Sequence, residues 1–576
     1  MAIKTMKIVA DYETTTDKND VRVWGVGAVD IDTLQTVHLG NSLDAFMQWL
    51  SDKNTVCYFH NLKFDGEFIL HYLLTHGYKY SDKKGDKTFE CLITDDGIFY
   101  SITVYFQCLN KKYKKVTFYD SYKKLPFKVS VIAKAFELED RKLEIDYHAY
   151  REPGHILTPE EEEYIVHDCR IVAAALKIQL EQGLKKMTNA SDAMNGFKEI
   201  MGRDRFEKTF PVLPVILDAD IRRAYKGGYV YLNPRYKGIR GIKGLTLDVN
   251  SLYPSVMYNC LLPYGYPMYF EGKPEHDDNY PLFIVHMKCC FELKPDHLPT
   301  VQLKNNRRFV ETEYLTTSQV ELKPGVYENE PVEMWLTNVD YALLMEHYDV
   351  TEETYINGYK FKGARGMFKE YIDHWMHIKE TTTGALRQLA KLMLNSLYGK
   401  FATNPVAKKK IPMLDHDGVV RYQILTNKLA KEIGVKPPEL RDPVYTAMGC
   451  FITAYARDKT IRSAQKVYDR FIYADTDSLH LEGQDVPEGL EVHPTHLGAW
   501  KNEGVFDDSL FLRAKTYMET VDGVTKVTCA GMPDNVKEKV TYDNFRDGAT
   551  FTGKLLPRRY PGGIVLVDTT FTLKAS

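Results

Sequence analysis

Arg470-Phe471-Ile472-Tyr473-Ala474-Asp475-Thr476-Asp477-Ser478-Leu479-His480-Leu481 is the stretch from which the rest of the chain is read. Two apolar runs flank a short polar centre, the pattern of two strands joined by a tight turn. Asp475 and Asp477 are two residues apart, so on a strand end they share one face. Carboxylates that close repel unless a cation joins them. Asp-Thr-Asp-Ser is also ordinary turn chemistry, so alone the stretch leaves a solvated turn open.

Two earlier segments give it company. Gly244-Leu-Thr-Leu-Asp248-Val249-Asn-Ser251-Leu-Tyr253-Pro254 is a second apolar strand ending in an acid. It runs into a helix start that Ser251 can cap, with Tyr253 directed back over the acid. Between the two lies a helix pair: Trp375 to Lys379 closes the first, Thr381 to Gly384 turns, and Ala385 to Lys400 forms the second. At about 100° per residue from Arg387, the residues Arg387, Tyr398, Lys391 and Asn395 fall at about 0°, 20°, 40° and 80°. Leu386, Leu389, Ala390, Met393 and Leu397 fall between about 200° and 300°. One face therefore packs. The other aligns two cations, an amide and an aromatic ring, which suits a triphosphate and a base better than a merely solvated basic face. Gly399 reads as the C′ residue that ends the helix.

The N-terminal part carries its own acids. Lys7-Ile-Val-Ala-Asp11-Tyr-Glu13 is a strand that places Asp11 and Glu13 on one face before Thr14-Thr15-Thr16 ends it. Thr55 to Phe59 is a strand running into the polar loop His60-Asn61-Leu-Lys-Phe64-Asp65, followed by a helix through Phe68. Thr158-Pro159 starts another helix, with Thr as cap and Pro at its first position. On it Tyr164 and Asp168 lie one turn apart. Four acids that converge, with a phenol beside the last, match what two-metal phosphodiester hydrolysis requires. His60 reads as a packing or phosphate-touching residue in preference to a metal ligand.

The 576 residues hold 75 Lys+Arg against 78 Asp+Glu, a net charge of −3, with 44% hydrophobic residues. That is globular composition of several domains' length, and it excludes disordered, collagenous and uniformly basic coat proteins. Nucleic acid stays open if the cations are segregated. From Arg387 to Arg441 there are eleven Lys/Arg and four Asp/Glu, a local +7 that includes Lys408-Lys409-Lys410. The nine Cys contain no C-x-x-C pair and suit a reducing compartment. Asp11 and Glu13 interrupt the N-terminal apolar run before a signal-peptide core forms, and no apolar run is long enough to span a membrane.

D-x-x-S-L-Y-P (Asp248 to Pro254), K-x-x-x-N-S-x-Y-G (Lys391 to Gly399) and Y-x-D-T-D-S (Tyr473 to Ser478) resemble motifs A, B and C of family B DNA polymerases. The D-x-E, N-x-x-x-D and Y-x-x-x-D sets at Asp11, Asn61 and Tyr164 resemble the three motifs of proofreading 3′–5′ exonucleases. Tyr225-Lys-Gly227-Gly228 resembles the Y-x-G-G motif between the two activities. Lys515-Thr-Tyr517 resembles the K-x-Y motif that holds a primer terminus. The order and the short chain are similar to the protein-primed replicases of phi-29-like phages.

The resemblance implies a ribonuclease-H-like α/β exonuclease domain (1–188) and an α+β right hand. The hand comprises palm (189–259 and 441–528), a first insertion (260–362), fingers (363–403), a second insertion (404–440) and thumb (529–576). Met187 to Gly196 reads as a linker, and Arg558-Arg559 and Pro561-Gly-Gly563 as thumb turns. Asp248, Asp475, Asp477 and the Val249 carbonyl would hold the metals of synthesis, and Asp11, Glu13, Asp65 and Asp168 those of the exonuclease. The metal is Mg²⁺, or Mn²⁺ in its place, with two ions per site. Tyr253 would stack under the sugar and exclude a 2′-OH, Lys379 and Lys391 would hold the triphosphate, with Arg387 and Asn395 as further substrate contacts, and Tyr398 would pack on the nascent pair. Thr14, His60, Asn61, Phe64, Phe68 and Ser121 would hold single-stranded DNA, while Tyr164 and Lys142 position water and phosphate.

Implied partners are primer-template DNA, dNTPs and a terminal protein, for a monomer in the cytoplasm of an infected bacterium, acting with strand displacement. The sequence differs from the family in Arg387, where Lys is usual, in a longer Leu425–Pro438 and in a shorter Tyr517–Cys529. An RNA-primed repair polymerase shares the catalytic set and is the rival reading; a nuclease or binding protein without synthesis is the other.

Overall fold

The alternating run at Lys7 forms the strand Met6–Thr14, and a sheet grows on both of its edges. It pairs antiparallel with Val23–Asp30 and parallel with Thr55–Phe59, which pairs parallel with Lys115–Asp120. Thr36–Gly40 on one side and the strands Phe99–Tyr105, Thr88–Ile93 and Lys79–Tyr80 on the other complete eight strands. The computed structural model describes residues 4–108, 110, 112–141, 143–311 and 313–575.

Helix Pro159–Glu181 begins in a reciprocal capping box between Thr158 and Glu161 and lies across the first two strands. Gly27 makes that approach close: a Cβ there would sit 2.6 Å from the Ile165 side chain.

Residues 187–196 are not a linker. Thr188 caps the helix Asn189–Met201, its hydroxyl accepting from the Ser191 N–H, and Phe197 anchors the other end by stacking 4.7 Å from Phe368. The helix is fastened to the first sheet by Lys124, whose buried ammonium meets Asp192 and donates to the Leu184 carbonyl. The Lys124 carbonyl accepts from both Gln179 and Asn189. One core accordingly runs from Val9 to Trp500.

The second body is built on a five-stranded antiparallel sheet. Its order is Trp500–Phe506, Gly244–Val249, Ser478–Glu482, Phe471–Asp475, Val230–Leu232. The helix Thr446–Lys466, buried along most of its length, packs against this sheet. Between the first two motif segments, four strands and the helix Asn338–His347 form a separate layer with its own core.

Helices Lys369–Thr381 and Gly384–Ser396 pack against each other as expected. Two details differ. Leu386 is exposed, and Gly399 lies inside a short helix, Tyr398–Phe401, that starts after a break at Leu397.

Leu425–Pro438 contains a capped helix, Asn427–Ile433, ended by Gly434 in the left-handed region. Tyr517–Cys529 is short because Asp522-Gly523 makes a two-residue turn with φ of 50° and 75°. Arg558 and Arg559 are not in a turn. They belong to the strand Thr550–Tyr560, which forms a long hairpin with Gly563–Thr572. Among the described residues all nine cysteines are free, and no helix is long and apolar enough to cross a membrane.

Candidate active sites

The first site sits where Met6–Thr14, the helix Leu62–Thr75 and the helix Pro159–Glu181 meet. Burial, and after it Asp168, pushes the Asp11 carboxyl up to about 7, although the Tyr12 N–H donates to it at 3.0 Å. Burial also raises Glu13 well above the usual range, reinforced by Asp11 and Asp168. Asp65 is raised in the same way by burial, Asp11 and Glu13. Asp168, at the open rim, is raised by burial and further by Asp140, against the pull of His167 and His60. The four acids therefore feel one another, as their sequence pattern requires.

Tyr164 stands beside them, and sequence reasoning missed its neighbour Tyr147. The two rings meet edge to face at 5.8 Å, and burial with Glu13, Asp168 and Asp11 pushes the Tyr147 phenol to about 12. Tyr147 belongs to no helical or strand period, so nothing local marks it.

Of the residues expected on a single strand, Asn61 and Phe64 face a crevice beside the site and Thr14 lies at the strand end. His60 and Ser121 do not offer themselves to a ligand. His60 Nδ1 meets Ser121 Oγ at 2.9 Å and its Nε2 meets the Phe127 carbonyl at 2.7 Å. Ser121 is fully buried and donates to the Phe59 carbonyl. Both polar groups are used in propping the loop. Phe68 is buried as well, beneath Gly563. Lys142 lies outside the described residues.

The second site lies at one end of the five-stranded sheet. Asp248 is opposite Ser478 in register, and the Val249 N–H donates to the Asp477 carbonyl at 2.8 Å. Burial, then Asp477, then Glu503 pushes Asp248 up to about 7, against the pull of Lys501. Asp477 is raised by burial and by Asp475.

Asp475 and Asp477 do not lie on one continuous strand, although Asp475 still raises Asp477. Asp475 ends one strand while Asp477 sits in the turn, after Thr476 with φ of 57°. Asp475 accepts from Lys515 Nζ at 2.7 Å and from the Tyr473 hydroxyl at 3.1 Å. Tyr517 packs against Tyr473 at 5.2 Å. The K-x-Y segment is thus tied directly to the acidic turn.

Gly228 reaches the same turn from the other side. A Cβ there would lie 2.4 Å from Thr476 Oγ1, so only glycine permits this approach. The loop is held by Arg457, a residue the motifs did not reveal. It donates to the carbonyls of Lys226 and Gly227 at 3.0 and 2.9 Å and pairs with Asp340 at 2.8 Å.

Facing the acids, Tyr253 and Tyr398 stack with centroids 4.1 Å apart and planes 17° from parallel. Ser251 takes the N-cap position with φ of 54° but makes no side-chain cap; its hydroxyl accepts from Lys379 Nζ at 3.2 Å. Arg387 donates to the Lys379 carbonyl. Burial, then Arg387 and Lys391, lowers the Lys379 pKa. Three cations crowded this way are complementary to a polyanion. Asn395 is exposed further along the helix.

Among the described residues no three His, Cys, Asp or Glu side chains form a closed cation cage. Both acid sets nevertheless fit a divalent ion: carboxylates are hard oxygen donors, and their mutual repulsion is relieved by a cation. The raised pKa values give this a measurable sign. A carboxyl with a folded pKa near 7 favours the cation-free fold when protonated, so that stability is full below the unfolded value and is lost as pH rises through 7. Cation binding must displace those protons and gains with pH. The rise in melting temperature on adding Mg²⁺ is expected to be several degrees larger at about pH 8 than at about pH 5.5. Thermal melts with Mg²⁺ or with chelator check this, and equal shifts at both pH values would count against cation binding by these acids.

A family model described as DNA polymerase type B, organellar and viral, matches residues 47–158 and 144–493. The DNA polymerase of Bacillus phage B103 is 47% identical over 584 residues, covering 98% of this chain and 99% of the relative. That of Bacillus phage phi29 is 46% identical over 587 residues, covering 98% of each. The solved structure of phi29 DNA polymerase complexed with primer-template DNA matches with a TM-score of 0.92 at 43% identity, over 99% of this chain and 100% of that one. The same polymerase with primer-template DNA and incoming nucleotide substrates gives 0.91 at 44% identity over the same shares. With two carboxylate sites on two sheets and a likeness that spans both, the chain belongs to the type B DNA polymerases of organelles and viruses, among those similar to the polymerases of phi29-like phages.

Proposed function

We propose that the chain replicates a linear phage genome from a protein primer, with the Asp248–Asp477 site adding nucleotides and the Asp11–Asp168 site removing misincorporated ones. As a DNA-directed DNA polymerase it joins a primer 3′-oxygen to the α-phosphate of a dNTP and releases pyrophosphate. At initiation a terminal-protein hydroxyl takes the place of the primer hydroxyl.

The division of labour follows the geometry. Lys379, Arg387 and Lys391 bind the triphosphate, and the fork of Arg387 offers a bidentate grip. The Tyr253–Tyr398 stack walls the sugar and leaves no room for a 2′-OH. Lys515, anchored on Asp475, and Tyr517 hold the primer terminus against the turn. In the other site Tyr164 orients the attacking water, and Asn61 and Phe64 hold the frayed strand.

Asp248, Asp475, Asp477 and the Val249 carbonyl would hold two Mg²⁺ in one site, and Asp11, Glu13, Asp65 and Asp168 two in the other, with Mn²⁺ a substitute. Such ions lower the pKa of the attacking hydroxyl or water and neutralise charge on the leaving oxygen. The exonuclease, palm, insertion, fingers and thumb divisions at 188, 259, 362, 403, 440 and 528 accompany this reading. So do primer-template and single-stranded DNA as ligands, a monomeric state, strand displacement and the cytoplasm of an infected bacterium.

The observation that carries the reading is the half-buried Asp248–Asp477 pair beside three clustered cations and a stacked tyrosine pair. The RNA-primed repair alternative has the same catalytic set but is not favoured by likeness to phi29-type polymerases over 98% of the chain. Protein priming is tested on a linear duplex carrying terminal protein, with dNTPs and Mg²⁺ and no oligonucleotide. Labelled nucleotide attached to the terminal protein is the expected result. Extension of an added oligonucleotide without any such product would favour the repair reading.

A further inference from the structure

The row of side chains directly behind the polymerase acids is polar and largely buried. His480 stands opposite Thr246 on one side and Tyr473 on the other, so the three share a face of the five-stranded sheet. Asp248 and Asp475 lie two residues beyond Thr246 and Tyr473, and therefore on that same face. Leu245, Leu247, Leu479 and Leu481 point the other way, into the main core.

A three-stranded sheet covers the row: Asp508–Arg513, Thr516–Val521 and Val524–Cys529. Its first strand is fixed by backbone bonds, the Gly238 and Gly241 N–H groups donating to the Phe511 and Ser509 carbonyls at 2.7 and 3.2 Å. Its second strand carries Tyr517 and meets the catalytic sheet through side chains. Glu519, its side chain 12% exposed, accepts from His480 Nδ1. A carboxylate only accepts, so this bond puts the imidazole hydrogen on Nδ1. Thr246 Oγ1 lies 3.4 Å from the same nitrogen. His480 is 3% exposed and boxed in by the rings of Tyr473, Phe511 and Tyr517, with centroids 5.4, 5.7 and 5.2 Å away.

The turn that precedes this strand needs support. Lys515 has φ of 57°, in the left-handed region, which a lysine keeps only where its neighbours hold it. Its N–H donates to the Tyr473 hydroxyl at 2.9 Å, and Tyr473 is packed against His480. One row thus takes hold of the segment twice: Tyr473 grips the turn, and His480 grips the strand four residues on.

Aromatic packing alone tolerates sliding along a strand, because it has no strong direction. A hydrogen bond to a buried carboxylate does not. A slip of one residue would turn Tyr517 and Glu519 to the far face of their strand, and a slip of two would carry Tyr517 about 7 Å along. The first slip would also leave His480 buried without its partner. Fixing register is the best-attested use of a buried polar pair.

We propose that the His480–Glu519 pair is the register lock of the K-x-Y strand: it fixes where Lys515 and Tyr517 stand along the catalytic sheet, and so where the primer 3′ end rests relative to Asp248 and Asp477. Both are positioning residues and touch no reacting atom. The inference rests on the polymerase reading.

The test follows one nucleotide added in a single turnover by the full chain, at saturating primer-template and dNTP. Glu519→Ala is expected to slow this step about tenfold, the scale of one charge-assisted hydrogen bond, and Glu519→Gln, which keeps a weaker bond, about threefold. The dNTP concentration for half-maximal rate and the degradation of a short single strand should each stay within about twofold, since neither depends on the K-x-Y strand. Degradation of a matched primer-template should rise, because its end spends more time out of place. The double variant His480→Phe with Glu519→Leu keeps the box filled but without a directed bond, and should be as slow as Glu519→Ala.

A wild-type rate in both Glu519→Ala and the double variant overturns the lock. So does a parallel fall in single-strand degradation or a rise in the dNTP requirement, which marks the pair as structural support only. If Glu519→Ala does not fold, Glu519→Gln and the double variant decide between the same outcomes. A wild-type chain that extends no primer would instead refute the polymerase reading itself.

Discussion

Asp477→Ala is expected to lower nucleotide addition by roughly 10³-fold or more, about 4 kcal/mol of transition-state stabilisation, while single-strand degradation continues. The two activities separate because their acids stand on different sheets: Asp477 lies in a turn beside Asp248 at the end of the five-stranded sheet, and Asp11 belongs to the eight-stranded one. Misfolding is not the expected cause of the loss. Asp477 is one of the groups that raise Asp248, so removing it relieves repulsion in the cation-free fold. Its backbone contacts, the carbonyl that accepts from Val249 and the N–H that donates to the Asp475 carbonyl, survive truncation of the side chain. Primer extension and 3′-end degradation on the same preparation, with a melting curve beside them, make the measurement. Loss of both activities at an unchanged melting temperature would show that the chain does not divide its chemistry between two sites.

Asp11→Ala combined with Asp65→Ala is expected to do the reverse. Degradation of a single strand falls by roughly 10³-fold, and synthesis on matched primers is retained. Asp65 is buried and Asp11 partly so, and both are raised by burial and by neighbouring acids, so neither keeps a charge easily without a cation. A primer with a mismatched 3′ end reports the difference most directly. The variant should stall there or carry the mismatch into product, where the parent chain removes it first. Substantial removal by the double variant would mean that Asp11 and Asp65 do not hold the metals. A shared loss of DNA binding would lower both activities at once, which neither variant is expected to do.

What the sequence made legible was the local pattern. Apolar runs that end in acids became the strands at Asp11, Asp248 and Asp475, and the Thr158-Pro159 start became a capped helix with Tyr164 and Asp168 on it. What escaped depends on contacts distant in sequence. Met187 to Gly196 is rich in small polar residues that compete with helix formation, yet the Thr188 cap, Phe197 packing and the Lys124–Asp192 pair override that preference. Asp475 reads by spacing as a neighbour of Asp477 on one strand, but a turn separates the two and Lys515, forty residues later, supplies Asp475 with a partner no local pattern announces. Arg457 supports the Gly227-Gly228 loop from the middle of a buried helix, where no motif distinguishes it from a packing residue. The same holds for the inward turn of His60 and Ser121: periodicity says which face a residue is on, and only the folded chain says what already occupies its polar atoms.

The joint at Lys124 has a consequence for editing. Because Lys124, Asp192, Gln179 and Asn189 form one buried polar knot under a continuous core, the two reaction centres stand at a fixed separation. A primer end cannot be delivered by swinging one half of the enzyme toward the other. It has to melt from its template until enough nucleotides are free to bridge the gap. The distance then acts as a ruler, and a mismatch is detected by how cheaply it frays: correct pairs resist the crossing, and wrong ones make it before the next nucleotide arrives.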